Sequence, residues 1–154
     1  MKKYILILLL ILICQAGNSQ TMDDLFKEFT KTEQVKHVKI HYDEINDLGI
    51  KQIKVTTPDI GINAIEILNS EGCNPKTKKR FTKAIRELDD PRFETIVTFN
   101  EKDSRSKVLV RVEDETIHEL VILRTSSDND NDNLIRIKGK IKSSDIDKMI
   151  ASLW

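Results

Sequence analysis

The chain reads as an α+β protein: an antiparallel sheet ending in a four-stranded meander, with amphipathic helices packed on one face. Three observations carry that reading. Apolar residues recur with a period of two in successive runs between 93 and 141, separated by short polar breaks. Stripes at helical spacing occur before, between and after these runs. Sequential strands with helices at intervals are the α+β pattern.

The meander is the clearest part. Val108, Val110 and Val112 alternate with Leu109 and Arg111, and Ile135, Ile137 and Ile141 alternate with Arg136, Lys138 and Lys140. Successive side chains of a strand point to opposite faces, so each run has an apolar and a wetter side. Between them, Thr116–Thr125 is apolar on both sides, with Ile117, Val121 and Leu123 facing one way and Leu120 and Ile122 the other. That is the signature of a central, covered strand. Phe93–Phe99 supplies the fourth strand. Gly139 stands where a large apolar residue belongs, so a neighbouring side chain or the final helix is expected to approach closely there.

The remaining elements follow in order. Thr21 caps a helix to Thr30, with Asp24 completing an approximate capping box and Met22, Leu25, Phe26 and Phe29 as its apolar stripe. Val35–Tyr42 alternates, with His37, Lys39 and His41 on a wet side. Asp43–Leu48 forms a helical turn stopped by Gly49. Ile50–Ser70 is less defined: Thr57-Pro58-Asp59 marks a turn and Ile60–Leu68 a strand. Asn74 and Pro75 open a second helix, which buries Phe81, Ala84, Ile85 and Leu88 and ends at Asp89-Asp90-Pro91. A last helix starts at Ser143 or Ser144, with Ile146, Met149, Ile150 and Leu153 at helical spacing. Its stripe is expected to lie on the sheet, because so short a helix does not persist alone in water.

Residues 1–19 read as a signal peptide. Lys2 and Lys3 precede the apolar run Tyr4–Ile13, which is too short to span a bilayer, and Gly17 and Ser19 suit a cut before Gln20. Residues 20–154 then form one domain, of a length that supports its own core. Aromatic residues make up 5% of the chain, so that core rests on Ile, Leu and Val. Lys+Arg and Asp+Glu both number 25, a balance that gives no reason to expect a nucleic-acid partner. Loss of Lys2 and Lys3 leaves the exported chain slightly acidic. Export also leaves Cys73 as the sole thiol and excludes an internal disulfide framework. Cys73 reads as a small, partly buried loop residue.

Several of these residues together are familiar. The export signal, Leu25-Phe26 and Phe29 on a first helix, the basic amphipathic helix after a polar turn, and the closing Ile137-Lys138-Gly139-Lys140-Ile141 with Asp145-Ile146 resemble a family of small exported Bacteroidetes-type proteins, domain of unknown function 4252. The resemblance implies a location in the cell envelope and assigns no activity and no catalytic residue. Many members look like lipoproteins. Here Ile13 precedes Cys14 where a small residue is required, so a lipid anchor is not expected.

Two stretches carry candidate chemistry. Lys76, Lys78, Lys79, Arg80, Lys83 and Arg86 crowd the second helix; such a helix is ordinarily a solvated face, and otherwise binds an anionic membrane or glycan. Asp128, Asp130 and Asp132 have the alternate spacing of an EF-hand calcium loop. Its sixth position is Asn133 rather than glycine, however, and its twelfth is Gly139 rather than a bidentate glutamate. The stretch therefore reads first as a solvated hairpin loop, with weak calcium binding as the alternative. His37 and His41 share a strand face at roughly 13 Å, too far for one metal. No His-Glu-x-x-His, Cys-x-x-Cys, Gly-x-Ser-x-Gly or phosphate-loop motif occurs, and no cofactor is implied. The sequence thus favours a non-enzymatic binding or sensing module of the envelope, with another envelope protein docked on the sheet face or an edge. A small-ligand carrier or enzyme with a pocket between sheet and helices is the first alternative, and a membrane or glycan binder using the basic helix the second.

Overall fold

The computed structural model describes residues 20–41, 61–128 and 131–152, with backbone alone at 148, 149 and 152. The signal segment, the turn after His41, the stretch 50–60, Asp130, the Met149 side chain and Leu153 lie outside the described residues.

Among the described residues the elements run α1 (Met22–Thr30), β1 (Lys36–His41), β2 (Ile62–Asn69), α2 (Pro75–Arg86), β3 (Glu94–Asn100), β4 (Ser104–Glu113), β5 (Thr116–Ser126), β6 (Asn133–Ile141) and α3 (Ser143–Ser152). The strands form one antiparallel sheet in the order β1-β2-β6-β5-β4-β3. The α+β fold and the four-stranded meander β3–β6 are both present. The β1–β2 pair adds to the meander along β6, so β5 lies inside the sheet with β4 and β6 as neighbours.

Local chemistry sets the helix ends. In α1 the Thr21 hydroxyl accepts the Asp24 N–H at 3.2 Å while the Asp24 carboxylate accepts the Thr21 N–H at 3.4 Å, a full capping box. In α2 the Asn74 side chain accepts the Thr77 N–H at 2.8 Å, with Pro75 at the first helical position. Helix α2 stops at Arg86, before the expected Asp-Asp-Pro signal. Leu88 has already left the helix and bridges in parallel with Gln20.

Both faces of the sheet are apolar. On the first face, Leu68, Val121, Leu123 and Leu134 pack under α1 and α2, whose Phe29 and Phe81 rings meet edge to face at 4.9 Å. Each such buried ring contributes roughly 1.5–3 kcal/mol through area removed from water. On the second face, Val108, Val110, Leu120, Ile122, Ile137 and Ile141 form another cluster. Ile146 of α3 is buried in it and Ile150 packs against it. Helices α1 and α2 thus share one face as expected, and α3 lies on the other.

Two details differ from the sequence pattern. Ile117 joins Leu120 and Ile122, not Val121, because the register slips between Ile117 and Glu119 and moves Ile117 across the sheet. At Gly139 the close neighbour is backbone, neither the final helix nor a side chain. A Cβ there would overlap the Gly61 carbonyl oxygen and the Ile62 Cα, beside the irregularity between Ile62 and Ala64. Gly61 has φ +75° and its carbonyl accepts the Lys140 N–H at 2.9 Å. Two glycines therefore face each other where β2 enters the sheet. Gly139→Val is expected to lower stability by about 3 kcal/mol in denaturant titration, since backbone cannot swing aside as a side chain can. A wild-type midpoint would show that the strands have room to part.

Candidate functional site: a groove beside the end of α2

The last turn of α2, at Ile85 and Arg86, lies beside β4 and β5. Between them runs a groove of about 460 Å³. Ile85 and Leu123, both buried, line its base, and Arg86, Arg105 and Lys107 stand along it with Thr125. Strand alternation explains the set: Arg105 pairs across with Thr125 and Lys107 with Leu123, on the same face of β4 and β5. Arg105 and Lys107 lie two residues apart, roughly 7 Å along the strand.

The charges in the groove are unbalanced. Arg86, Arg105 and Lys107 form no ion pair among the described residues. Lys102 adds a fourth cation; Glu101 and Asp103, in the β3–β4 turn, oppose them. Glu101 is engaged by the Ser104 hydroxyl at 2.9 Å. Thr125 is only 8% exposed, yet its hydroxyl makes no side-chain hydrogen bond among the described residues.

The basic helix does not present a single cationic face. Arg80 reaches across the surface to α1, to Glu28 at 3.3 Å and Thr32 at 3.1 Å, with its guanidinium over the Phe29 ring. Lys83 reaches Glu87 at 3.9 Å, Lys78 is half-buried, and Lys76 and Lys79 stay exposed. Of the six, Arg86 alone lines the groove. Its groove partners were missed by sequence reasoning because they come from a strand distant in sequence. The available signal was Arg105 and Lys107 on the same side of a strand as otherwise covered positions.

Asp132 is not solvated. It is fully buried: Ser126 donates its N–H at 2.6 Å and its hydroxyl at 3.0 Å to one carboxylate oxygen, and Thr82 of α2 hydrogen-bonds to the other. The Asp132 carbonyl accepts the Ser70 N–H at 3.1 Å. One aspartate thus ties the β5–β6 hairpin to α2 and to the chain after β2. Its carboxylate is occupied by protein donors, Asp128 lies in the same hairpin, and Asp130 falls outside the described residues. Among the described residues no three His, Cys, Asp or Glu side chains gather as metal ligands. His37 instead pairs with Glu66 at 2.8 Å across β1 and β2.

Arg136, on the side of β6 expected to be wet, is also buried. It donates to Asp23 at 2.6 Å and to Glu119 at 2.8 Å, and its guanidinium lies over the Phe26 ring at 5.1 Å. Asp23 in turn meets Arg92, whose guanidinium holds both oxygens of Asp90 at 3.0 and 2.8 Å. The hydrogen bonds from Arg92 pull the Asp90 carboxyl down to about 2 against the opposing effect of burial, and the Met22 N–H helps. Asp23 is lowered too, chiefly by its hydrogen bond from Arg136. Cys73 is buried with its thiol donating to the Gln34 carbonyl at 3.0 Å, and burial raises its pKa. A raised thiol pKa and poor access make it an inert structural residue.

Two expected outcomes follow from these buried acids. Thr82 has one hydroxyl proton and two acceptors in reach, Asp132 and the Lys78 carbonyl at 3.0 Å. An asparagine amide at 132 can donate to Thr82 and free that proton for Lys78. Asp132→Asn should therefore stay within about 1 kcal/mol of wild type, while Asp132→Ala strands buried donors and should lose roughly 2–4 kcal/mol in urea titration. The second outcome concerns acid. A carboxyl held below its unfolded value stabilises the fold above that value and loses the contribution as pH falls through the folded pKa. Stability measured from pH 5 down to 2 should fall, with the Asp90 share roughly 1–2 kcal/mol after discounting for the half-exposed Arg92. Asp90→Asn should be weaker than wild type at pH 5, and the two should converge near pH 2.

No helix among the described residues is long and apolar enough to cross a membrane. Among curated proteins and among solved structures, none matches the chain. A family model, Domain of unknown function (DUF4252), matches residues 19–149, which include the sheet, α1, α2 and most of α3. The match spans far more than half of the sequence, and the chain belongs to that family.

Proposed function

We propose that the protein is an exported, non-enzymatic binding module of the bacterial cell envelope, holding a small ligand in the groove between the end of α2 and strands β4 and β5. The observation that carries this reading is the groove itself: a cavity of about 460 Å³ with an apolar base and three cations free of ion pairs among the described residues. Its volume falls within the range of small-molecule sites. Its lining is mostly polar and charged, with Ile85 and Leu123 as the apolar members, so a ligand there must be held chiefly by charge and hydrogen bonds. Export rests on the Lys2–Ser19 pattern, and the envelope location on the family resemblance.

A second reading places a protein partner on the other face of the sheet. There Val38, Ile67, Ile135, Ile122, Val108 and Val97 stand opposite one another across all six strands. The row is buried at its centre and 46% exposed at Val38. A membrane or glycan surface on α2 has less support, because Arg80 is committed to α1 and Arg86 to the groove.

Native mass spectrometry of the chain isolated from the envelope fraction without detergent tests the reading. The expected result is a mature chain starting near Gln20, with no acyl group on Cys14, carrying a small bound mass that is lost on unfolding. An uncleaved chain in the cytosol would overturn the export part. A ligand-free spectrum, together with a stoichiometric protein companion, would replace the groove by the second face.

A further inference from the structure

From the groove's chemistry we infer the class of its ligand: an amphiphilic organic anion, with a phosphate-monoester or carboxylate head on a short apolar body. The inference rests on the binding reading above and adds what is bound. Arg86, Arg105 and Lys107 line one cavity and have no ion-pair partners among the described residues. Unpaired cations held together repel one another, and an oxyanion between them relieves that repulsion. The Arg105 guanidinium offers parallel N–H donors that match two oxygens of a carboxylate or phosphate. Thr125, directly across from Arg105, offers a hydroxyl without a side-chain partner, although the residue is more than nine-tenths buried.

The charge count limits the head. Four cations (Arg86, Lys102, Arg105 and Lys107) face two acids (Glu101 and Asp103), leaving a net charge of two positives in the groove. That suits a head of one or two negative charges and disfavours a polyanion, which would meet both acids in the turn. The aliphatic stems of Arg86, Arg105 and Lys107, with the edges of the buried Ile85 and Leu123, give the ligand's body an apolar surface to cover. A bare inorganic anion would leave that surface wet, and a neutral alcohol would leave the cations uncompensated. The two halves of the site therefore require a ligand with two halves.

Hexyl phosphate below its micellar concentration is a suitable probe, with inorganic phosphate and hexan-1-ol as controls, in isothermal titration calorimetry on the mature chain. Hexyl phosphate should bind at one site, about tenfold or more tighter than inorganic phosphate, with no heat of binding from hexanol. The double variant Arg105→Ala, Lys107→Ala should weaken the probe by about tenfold or more with an unchanged melting temperature. Thr125→Val, which keeps the shape and removes the hydroxyl, should weaken it severalfold. Lys76→Ala with Lys79→Ala, on the exposed part of α2, should leave it unchanged.

Vesicles containing phosphatidylglycerol separate a lipid head group from a soluble anion. Cosedimentation that hexyl phosphate competes away and the Arg105, Lys107 variant abolishes assigns the head to lipid. Binding of hexyl phosphate without cosedimentation assigns it to a soluble molecule. Equal affinity for inorganic and hexyl phosphate, full affinity in the groove variant, or loss on the Lys76, Lys79 variant would each overturn the assignment. A small neutral mass found on the native protein would also overturn it, while leaving the binding reading intact.

Discussion

From Glu119 to Leu123 strand β5 has no wet side, and the rest of the architecture follows from that. Val121 and Leu123 are buried on one face, and Leu120 and Ile122 on the other. An antiparallel sheet can leave one face in water, but only when its central strand has a polar side to show. Here both faces need cover. Helices α1 and α2 supply it on the first, and Ile146 and Ile150 of α3 contribute to it on the second. The groove arises where the cover on the first face runs out. Helix α2 ends at Arg86, so β4 and β5 pass beyond it with Arg105, Lys107 and Thr125 uncovered by the helix.

The first face also buries charge, which fixes how α1 sits. The side chains of Arg136 and Glu119 are 5% and 6% exposed. Removing an ion from water costs several kcal/mol even after relaxation, so such a pair persists only with further partners. Asp23 on α1 supplies one, and Arg111 and Lys138 stand 3.5 and 3.9 Å from Glu119. Glu119 Oε2 and Arg136 Nε still lack a hydrogen bond, so the network is not fully satisfied. Its effect is positional: Asp23 must lie over Arg136, and Met22 must reach Asp90 at 3.1 Å. A slide of α1 by one turn would leave Arg136 buried without Asp23. Hydrophobic packing alone tolerates such slips; a buried ion pair does not.

Local signals in the sequence were reliable, and distant ones were not. The caps at Thr21 and Asn74, the stripe of α1, most of the stripe of α2 and the meander are decided within a few residues, and the structure has them; Leu88 falls outside α2, and the Met149 side chain and Leu153 lie outside the described residues. The side of Ile117 depends on one inserted residue in the ladder, which flips a side chain without altering composition. Arg136 looks solvent-facing by alternation because its partner Asp23 is 113 residues away. Asp132 sits in an Asp/Asn run that reads as a wet loop, and its donor Thr82 lies on another element. The close approach at Gly139 was visible, but not that Gly61 faces it. The groove follows the same rule: a helix end and a strand, each unremarkable in sequence, become a site only once the fold brings them together.

The double cover of β5 can be tested on two of its leucines that point in opposite directions. Leu123→Ala empties a site under α1 and α2, and Leu120→Ala one in the cluster that Ile146 joins; neither adds a charge that Arg136 or Lys107, on the neighbouring strands, could pair. Truncating a buried leucine costs roughly 2–5 kcal/mol, a large part of the roughly 5–15 kcal/mol that holds a domain together. Denaturant titration by circular dichroism is expected to find both variants weakened to a similar degree. A wild-type midpoint for either one would mean that its face of the sheet is open to water and that β5 is covered on one side only.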